Sequence, residues 1–325
     1  MCRIMIRTLI ISVVLLGWAA TMAQANPVGP GLRDGEGFVR SDGVKIWYRV
    51  DGASRRGIPV VIIHGGPGET ARPFERTIGP LLSLSRPVIY TDYRGAGRSE
   101  RPAEPAKYSF KQLADDVEAI RTALGIADWA VFGHSNGAAT AITYALRHPR
   151  ATRALILCGP LLSPRDLEVN MAHKVVSALP AQAKRLRAIF LSQKPLSTRF
   201  EQMFPELEPG WPHRLMFYDP RVGRILDEMQ RGLSLELGGK ELMTPALFDG
   251  LVASGFFEFD AFPNVARLTM PTLVLVGRVD SELSIDNAAL FSASLPSGRF
   301  VVIEHAGHFP FIEAPGVTTA EIARF

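Results

Sequence analysis

VFGHSNGAAT, residues Val131 to Thr140, sets one serine between two glycines directly after an apolar run. Glycine is costly inside regular helices and strands, because it loses more backbone freedom on folding than any other residue. Two of them around a single serine mark a backbone that must turn sharply. Gly133-x-Ser135-x-Gly137, with an apolar strand before it and a small-residue helix after it, fits a strained strand-to-helix turn that presents Ser135 at its tip. The N–H of Asn136 then falls in the first turn of the helix, where it lacks an intrahelical acceptor. It is free to donate to a developing oxyanion.

Outward from this turn, apolar strands alternate with helical segments. IPVVIIHGG and RPVIYTDYRG precede it, and ATRALILCGP follows it. Such continuous apolar runs predict strands buried on both faces. EGFVRS and KIWYRVDG predict a leading hairpin. Tyr108 to Leu124 has helical periodicity and stops at Gly125, and NGAATAITYALRHP predicts a helix with Pro149 just beyond its end. Between Leu161 and about Phe262 the texture changes to helical segments rich in Met, Phe and charge, broken by prolines. The alternation then resumes with MPTLVLVGRVD, IDNAALFSASL and RFVVIEHAGH. This predicts a mostly parallel α/β sheet with helices on both faces. The helical block is expected over the carboxyl ends of the strands, where open α/β sheets bind ligands.

A serine hydroxyl is a weak nucleophile at neutral pH and needs a base. With this turn, the partners follow in the order Ser, then Asp or Glu, then His. Asp280 closes the run TLVLVGRVD, with Glu282 and Asp286 as lesser rivals. His308 follows the last strand in the loop after Gly307, with His305 as the alternative. In these roles Ser135 attacks an acyl carbon, His308 moves the proton, and Asp280 orients the imidazole. The second oxyanion donor is expected from the glycines of VVIIHGGPGE, first the N–H of Gly66 and next that of Gly65. His64 reads as a structural hydrogen-bonding residue. A phosphate loop does not fit, since no G-x-x-x-x-G-K-[ST] pattern is present and Glu69 would repel an anion.

The chain has 325 residues, 47% of them hydrophobic, which suffices for a large core. Its net charge of +4 includes Arg3 and Arg7, and no basic stripe occurs elsewhere, which disfavours nucleic acid as a partner. The two arginines, the apolar run Leu9 to Ala20 and the small-x-small site Ala23-Gln24-Ala25 predict a signal peptide over residues 1–25, cut after Ala25. The rival is an uncleaved anchor, for which the run is short. The mature protein is therefore expected in the periplasm or secreted, without stable membrane association. Cleavage leaves Cys158 as the single cysteine, expected buried in a strand and without an internal disulfide. The histidines lack metal-ligand spacing, and no cofactor is implied.

Five pieces in this order resemble the α/β-hydrolase superfamily: HGGPG at His64–Gly68, DYRGAGRS at Asp92–Ser99, GHSNG at Gly133–Gly137, GRVD at Gly277–Asp280 and GHFPFIEAP at Gly307–Pro315. The HGGPG piece looks most like proline iminopeptidases, as do DYRGAGRS and YALRHP. The resemblance departs at His134 and Asn136, where that group usually carries glycine and tryptophan, and at Tyr93, where it has glutamine. It implies an α/β-hydrolase fold: core over 26–160, a helical cap over 161–262, and core again over 263–325. It also implies a serine hydrolase acting on a small ester, amide or short peptide, of the iminopeptidase type. Esterases, lactonases and carbon–carbon bond hydrolases are the alternative, and a catalytically silent binding protein the third. The cap of the iminopeptidases supplies glutamates for the substrate amine; here that block holds Glu201, Glu206, Glu208, Glu228, Glu236, Glu241 and Glu258. Its aromatics and methionines are expected to be divided between lid packing and an apolar pocket wall.

Overall fold

Val60-Val61-Ile62-Ile63 has no polar position, and the computed structural model buries all four residues in strand β3 (Val60–Ile63). Val61 and Ile63 enter one core, and Val60 and Ile62 enter the other. A strand with this pattern has no face for water, so it must lie inside a sheet covered on both sides. The structure describes residues 32–66, 69–207 and 211–325; the expected signal peptide lies outside them, as do Pro67, Gly68 and Glu208.

An antiparallel hairpin, β1 (Gly35–Ser41) and β2 (Val44–Asp51), forms one edge of the sheet. It leads through β4 (Val88–Thr91) to β3, β5 (Trp129–Ser135), β6 (Thr152–Pro160), β7 (Thr272–Gly277) and β8 (Gly298–Ile303). The order is β1-β2-β4-β3-β5-β6-β7-β8, with parallel pairing from β4 onward. Two short helices, α1 (Arg72–Arg76) and α2 (Ile78–Leu82), join β3 to β4. They cover one face; α3 (Phe110–Ala123) and α4 (Asn136–Arg147) cover the other. In α3 the buried Phe110, Leu113, Ala114, Val117 and Ile120 fall at helical spacing, and the Ser109 side chain caps the first turn by accepting from the N–H of Gln112. Burying each such large apolar side chain stabilises by about 1.5–3 kcal/mol.

Between β6 and β7 every regular element among the described residues is helical. These are α5 (Pro164–Ala178), α6 (Ala183–Phe190), α7 (Leu196–Met203), α8 (Trp211–Met216), α9 (Pro220–Glu236) and α10 (Pro245–Ala253), with 3₁₀ turns. Part of this segment has its own small core around Met171, Val175, Leu186, Phe200 and Met203. Helix α11 (Ile285–Ser294) then joins β7 to β8, and α12 (Pro310–Glu313) and α13 (Pro315–Arg324) end the chain. Cys158 is fully buried in β6, and burial raises its thiol pKa. The carboxyl ends of β3, β5, β7 and β8 converge on one edge, and the candidate residues lie there.

Candidate active site

Ser135 ends β5 with φ 51° and ψ −122°, a conformation costly for a residue with a Cβ. Its neighbours show why the turn needs glycine. A Cβ on Gly137 would press into the main-chain oxygens of Ile63 and His64, and one on Gly133 would lie 2.7 Å from the Cα of Ala138. The start of α4 therefore packs directly on the end of β3. That contact aims Ser135 into a cavity of about 320 Å³ also lined by Gly66, Glu69, Asn136, Glu282 and His308.

The loop after β3 is braced from below. His64 Nε2 accepts from the N–H of Tyr93 at 3.1 Å, so the proton sits on Nδ1, which donates to the Gly65 carbonyl at 2.7 Å. Burial lowers the pKa of His64 and outweighs the nearby Asp92, which keeps the ring neutral. Its structural reading holds. The DYRGAGRS segment is likewise a brace: Arg94 makes a buried bidentate pair with Asp116 at 2.7 and 2.6 Å, and Asp92 accepts from Arg98 Nε at 2.7 Å and from the N–H of Ala71 at 2.8 Å.

Asp280 and His308 come from loops after β7 and β8, 28 residues apart, and meet at 3.0 Å between Oδ2 and Nδ1. The other oxygen of Asp280 accepts from the N–H groups of Glu282 and Leu283 at 2.9 and 3.1 Å. Both carboxylate oxygens are thus committed, one to the imidazole and one to the loop's own backbone. His308 is held by its main chain on two sides. Its N–H donates to the carbonyl of Met216, at the end of α8, at 2.6 Å. Its carbonyl accepts from His134 Nε2 at 2.9 Å. Of the alternatives, His305 has φ 55° and its ring meets Tyr218, Asp286 lies in the first turn of α11, and Glu282 touches the imidazole at its other nitrogen rather than at Nδ1.

Two further carboxylates line the cavity in places that the sequence did not assign them: Glu69, read there only as a charge beside the glycine loop, and Glu282, read there only as a rival to Asp280. Glu69 follows the glycine loop, and its Oε2 lies 3.6 Å from His134 Nδ1. Burial works against its charge, but His134, with His308 and His64 nearby, outweighs burial and lowers its pKa. Glu282 reaches the far side of His308, with Oε2 3.0 Å from Nε2. Burial, with Asp280 and Glu69 nearby, raises the pKa of Glu282 against the pull of His308. For His308 the balance is reversed. Burial disfavours its charge, yet Asp280 and then Glu282 outweigh burial and push the pKa up to about 9. Glu69 is marked only by standing next to the glycine loop, and Glu282 only by standing two residues after Asp280.

The remaining wall is apolar. Leu161, Leu167, Met171, Phe200, Met216, Phe248, Phe256, Phe257 and Leu283 line it, most of them from the helical segment. Among the described residues, none of the helical-segment glutamates singled out above lines this cavity; its acidic groups come from the core loops. Phe217 packs elsewhere, stacked on Phe309 at 4.9 Å.

The profile of the alpha/beta hydrolase fold matches residues 58–315. A proline iminopeptidase of Heyndrickxia coagulans is 25% identical over 298 residues, covering 89% of this chain and 98% of its own length. A proline iminopeptidase of Saccharolobus solfataricus is 27% identical over 291 residues, covering 86% of this chain and 87% of its own. Among solved structures, a proline iminopeptidase-related protein of Thermus thermophilus superposes with a TM-score of 0.73 at 25% identity, over 90% of this chain and 97% of its own. The topology, the strained serine turn and this likeness over nearly the whole length make the chain a hydrolase of the α/β-hydrolase fold family, in its proline iminopeptidase-like group.

Proposed function

We propose that the protein hydrolyses a small ester or amide through an acyl-enzyme on Ser135. The observation that carries this reading is the 3.0 Å pairing of His308 Nδ1 with Asp280, at a cavity into which Ser135 is presented. His308 Nε2 takes the Ser135 proton as Oγ attacks the acyl carbon. The oxyanion is met by the N–H groups of Gly66 and Asn136. The C–O or C–N bond breaks, and the leaving group departs with the proton from His308. Water, deprotonated by the same imidazole, then attacks the acyl carbon; the acid product leaves and Oγ regains its proton.

The preferred substrate is an amide with a free amine, as in an iminopeptidase. Support comes from the names of the relatives and from the two cavity carboxylates, Glu69 and Glu282, which suit a cation more than an anion. The apolar wall favours a second reading, a carboxylesterase acting on an uncharged acyl group. Residues 161–262 serve as the lid over this site. Export follows from residues 1–25, and a purified protein beginning at Asn26 is the expected result of N-terminal sequencing.

The test is a paired assay of the mature protein on a short-chain aryl ester and on the aryl amide of unblocked proline, with Ser135→Ala beside each. Turnover of the amide, lost in the variant, supports the peptidase. Ester turnover alone supports the esterase. Turnover that survives Ser135→Ala sinks the serine mechanism, and none on either substrate favours a silent binding protein.

A further inference from the structure

The imidazole that must accept the serine proton is already engaged on both nitrogens. Asp280 lies 3.0 Å from Nδ1, and Glu282 lies 3.0 Å from Nε2. The second contact involves the atom that general-base catalysis needs. It is also built in. The N–H of Glu282 donates to Asp280 Oδ1, and Asn170 on α5 donates from Nδ2 to the main-chain oxygens of Ser281 and Leu283, at 2.7 and 2.8 Å. The backbone on each side of Glu282 is therefore gripped by the helical segment, while its side chain reaches His308. Among the described residues, the other ionisable groups facing this imidazole are Glu69, across the cavity, and His134, whose ring lies 4.8 Å away. The described residues of the helical segment present only apolar side chains to the cavity.

We propose that Glu282 is a positioning residue that acts through His308: it holds Nε2 in the substrate-free enzyme and releases it to Ser135 when substrate fills the cavity. An imidazole between two carboxylates keeps its proton, and a protonated imidazole cannot take one from serine. The resting site is therefore latent, and occupancy arms it. The inference rests on the triad reading above and adds a competitor to it. Arming breaks the Nε2–H bond: once Glu282 withdraws, the imidazolium loses the carboxylate that stabilised it, its proton passes to solvent, and Nε2 meets the Ser135 hydroxyl with a free lone pair.

The experiment uses the full mature chain and two readouts. In the first, the His308 imidazole is titrated by NMR in the Ser135→Ala background, with Glu282 intact or changed to Gln. The midpoint is expected to fall by about one pH unit or more when the carboxylate charge is removed. In the second, kcat/KM and kcat for the aryl ester are followed against pH. Since kcat/KM reports the free enzyme and kcat the bound complex, the acid limb of kcat is expected below that of kcat/KM in the parent. In Glu282→Gln the two limbs should draw together, with kcat/KM at pH 7 raised about tenfold.

Glu282→Asp keeps the charge on a shorter arm and should fall between the two, which also guards against a Gln variant that does not fold. An unmoved NMR midpoint, coincident limbs in the parent, or a uniform loss of rate at every pH would each overturn the proposal. Turnover that survives Ser135→Ala would instead overturn the triad, and the NMR comparison would still decide the role of Glu282.

Discussion

His134, the residue before the serine on β5, donates from Nε2 to the main-chain oxygen of His308 at 2.9 Å, so one strand positions both the nucleophile and the loop that carries its base. The His134 ring is fully buried. Removing it leaves a buried carbonyl without its donor, which costs about 1–3 kcal/mol. His134→Ala is expected to lower unfolding stability by that amount and to lower kcat more than it raises KM. Urea denaturation beside steady-state kinetics checks both. An unchanged kcat would mean that the contacts of the loop with Met216, Glu313 and Asp280 fix it without His134.

The turn at Ser135 depends on the absence of two side chains. Gly137→Ala forces a methyl group against the Ile63 and His64 carbonyls, which cannot retreat without moving β3. Overpacking of this kind costs about 1–3 kcal/mol. Ser135→Gly has the opposite sign for stability, because it relaxes a strained φ of 51°. Thermal melting should rank Ser135→Gly above Ser135→Ala, and both well above Gly137→Ala.

Activity and stability should move in opposite directions with pH. The His308 pKa is raised to about 9 by Asp280 and Glu282 against burial, from an ordinary 6.5. A raised folded-state pKa contributes stability that is full below about pH 6.5 and is lost as pH climbs through 9. The neutral imidazole that catalysis needs is scarce at pH 7 and grows about tenfold per unit below its pKa. kcat/KM for a neutral ester is therefore expected to climb through pH 8, while denaturant midpoints fall over the same window. A flat kcat/KM between pH 7 and 8.5 would count against a charged resting His308.

Gly66 lines the cavity with φ 110°, and its N–H is one of the two oxyanion donors proposed here. Gly66→Ala cannot keep that dihedral without strain, so the donor should swing away from the reacting oxygen. Loss of one such donor typically costs about a hundred- to a thousandfold in kcat. The expected signature is a large fall in kcat with little change in KM, read on the ester substrate.

The central strands were legible because each carries an unbroken apolar run, and Ser135 because the glycines around it have no role in a regular element. Asp280 and His308 could be named from their order along the chain, and the structure brings their side chains together. Glu69 and Glu282 were not legible as neighbours. They lie on loops after β3 and β7, 213 positions apart, and only the sheet order places both beside His308. The helical segment hid its own logic for a related reason. Its glutamates and its phenylalanines alternate without a clean period, so which of them face inward was set by packing against α5 and the core rather than by local pattern. The short helices α1 and α2 were missed because neither is long enough to show a period.

The bond from the His308 N–H to the carbonyl of Met216 ties the roof of the cavity to its proton carrier. Reshaping that roof is thus never a matter of fit alone. A change in α8 that widens the cavity for a bulkier acyl group also tugs on the imidazole. Variants selected for broader substrate range in this helix should surrender turnover even on the original substrate, whereas changes at Phe248 or Phe256, which line the same cavity from other elements, should alter preference at smaller catalytic cost. Breadth and speed in this enzyme hang from the same hinge pin, and a library divided between the two regions would show whether they come apart.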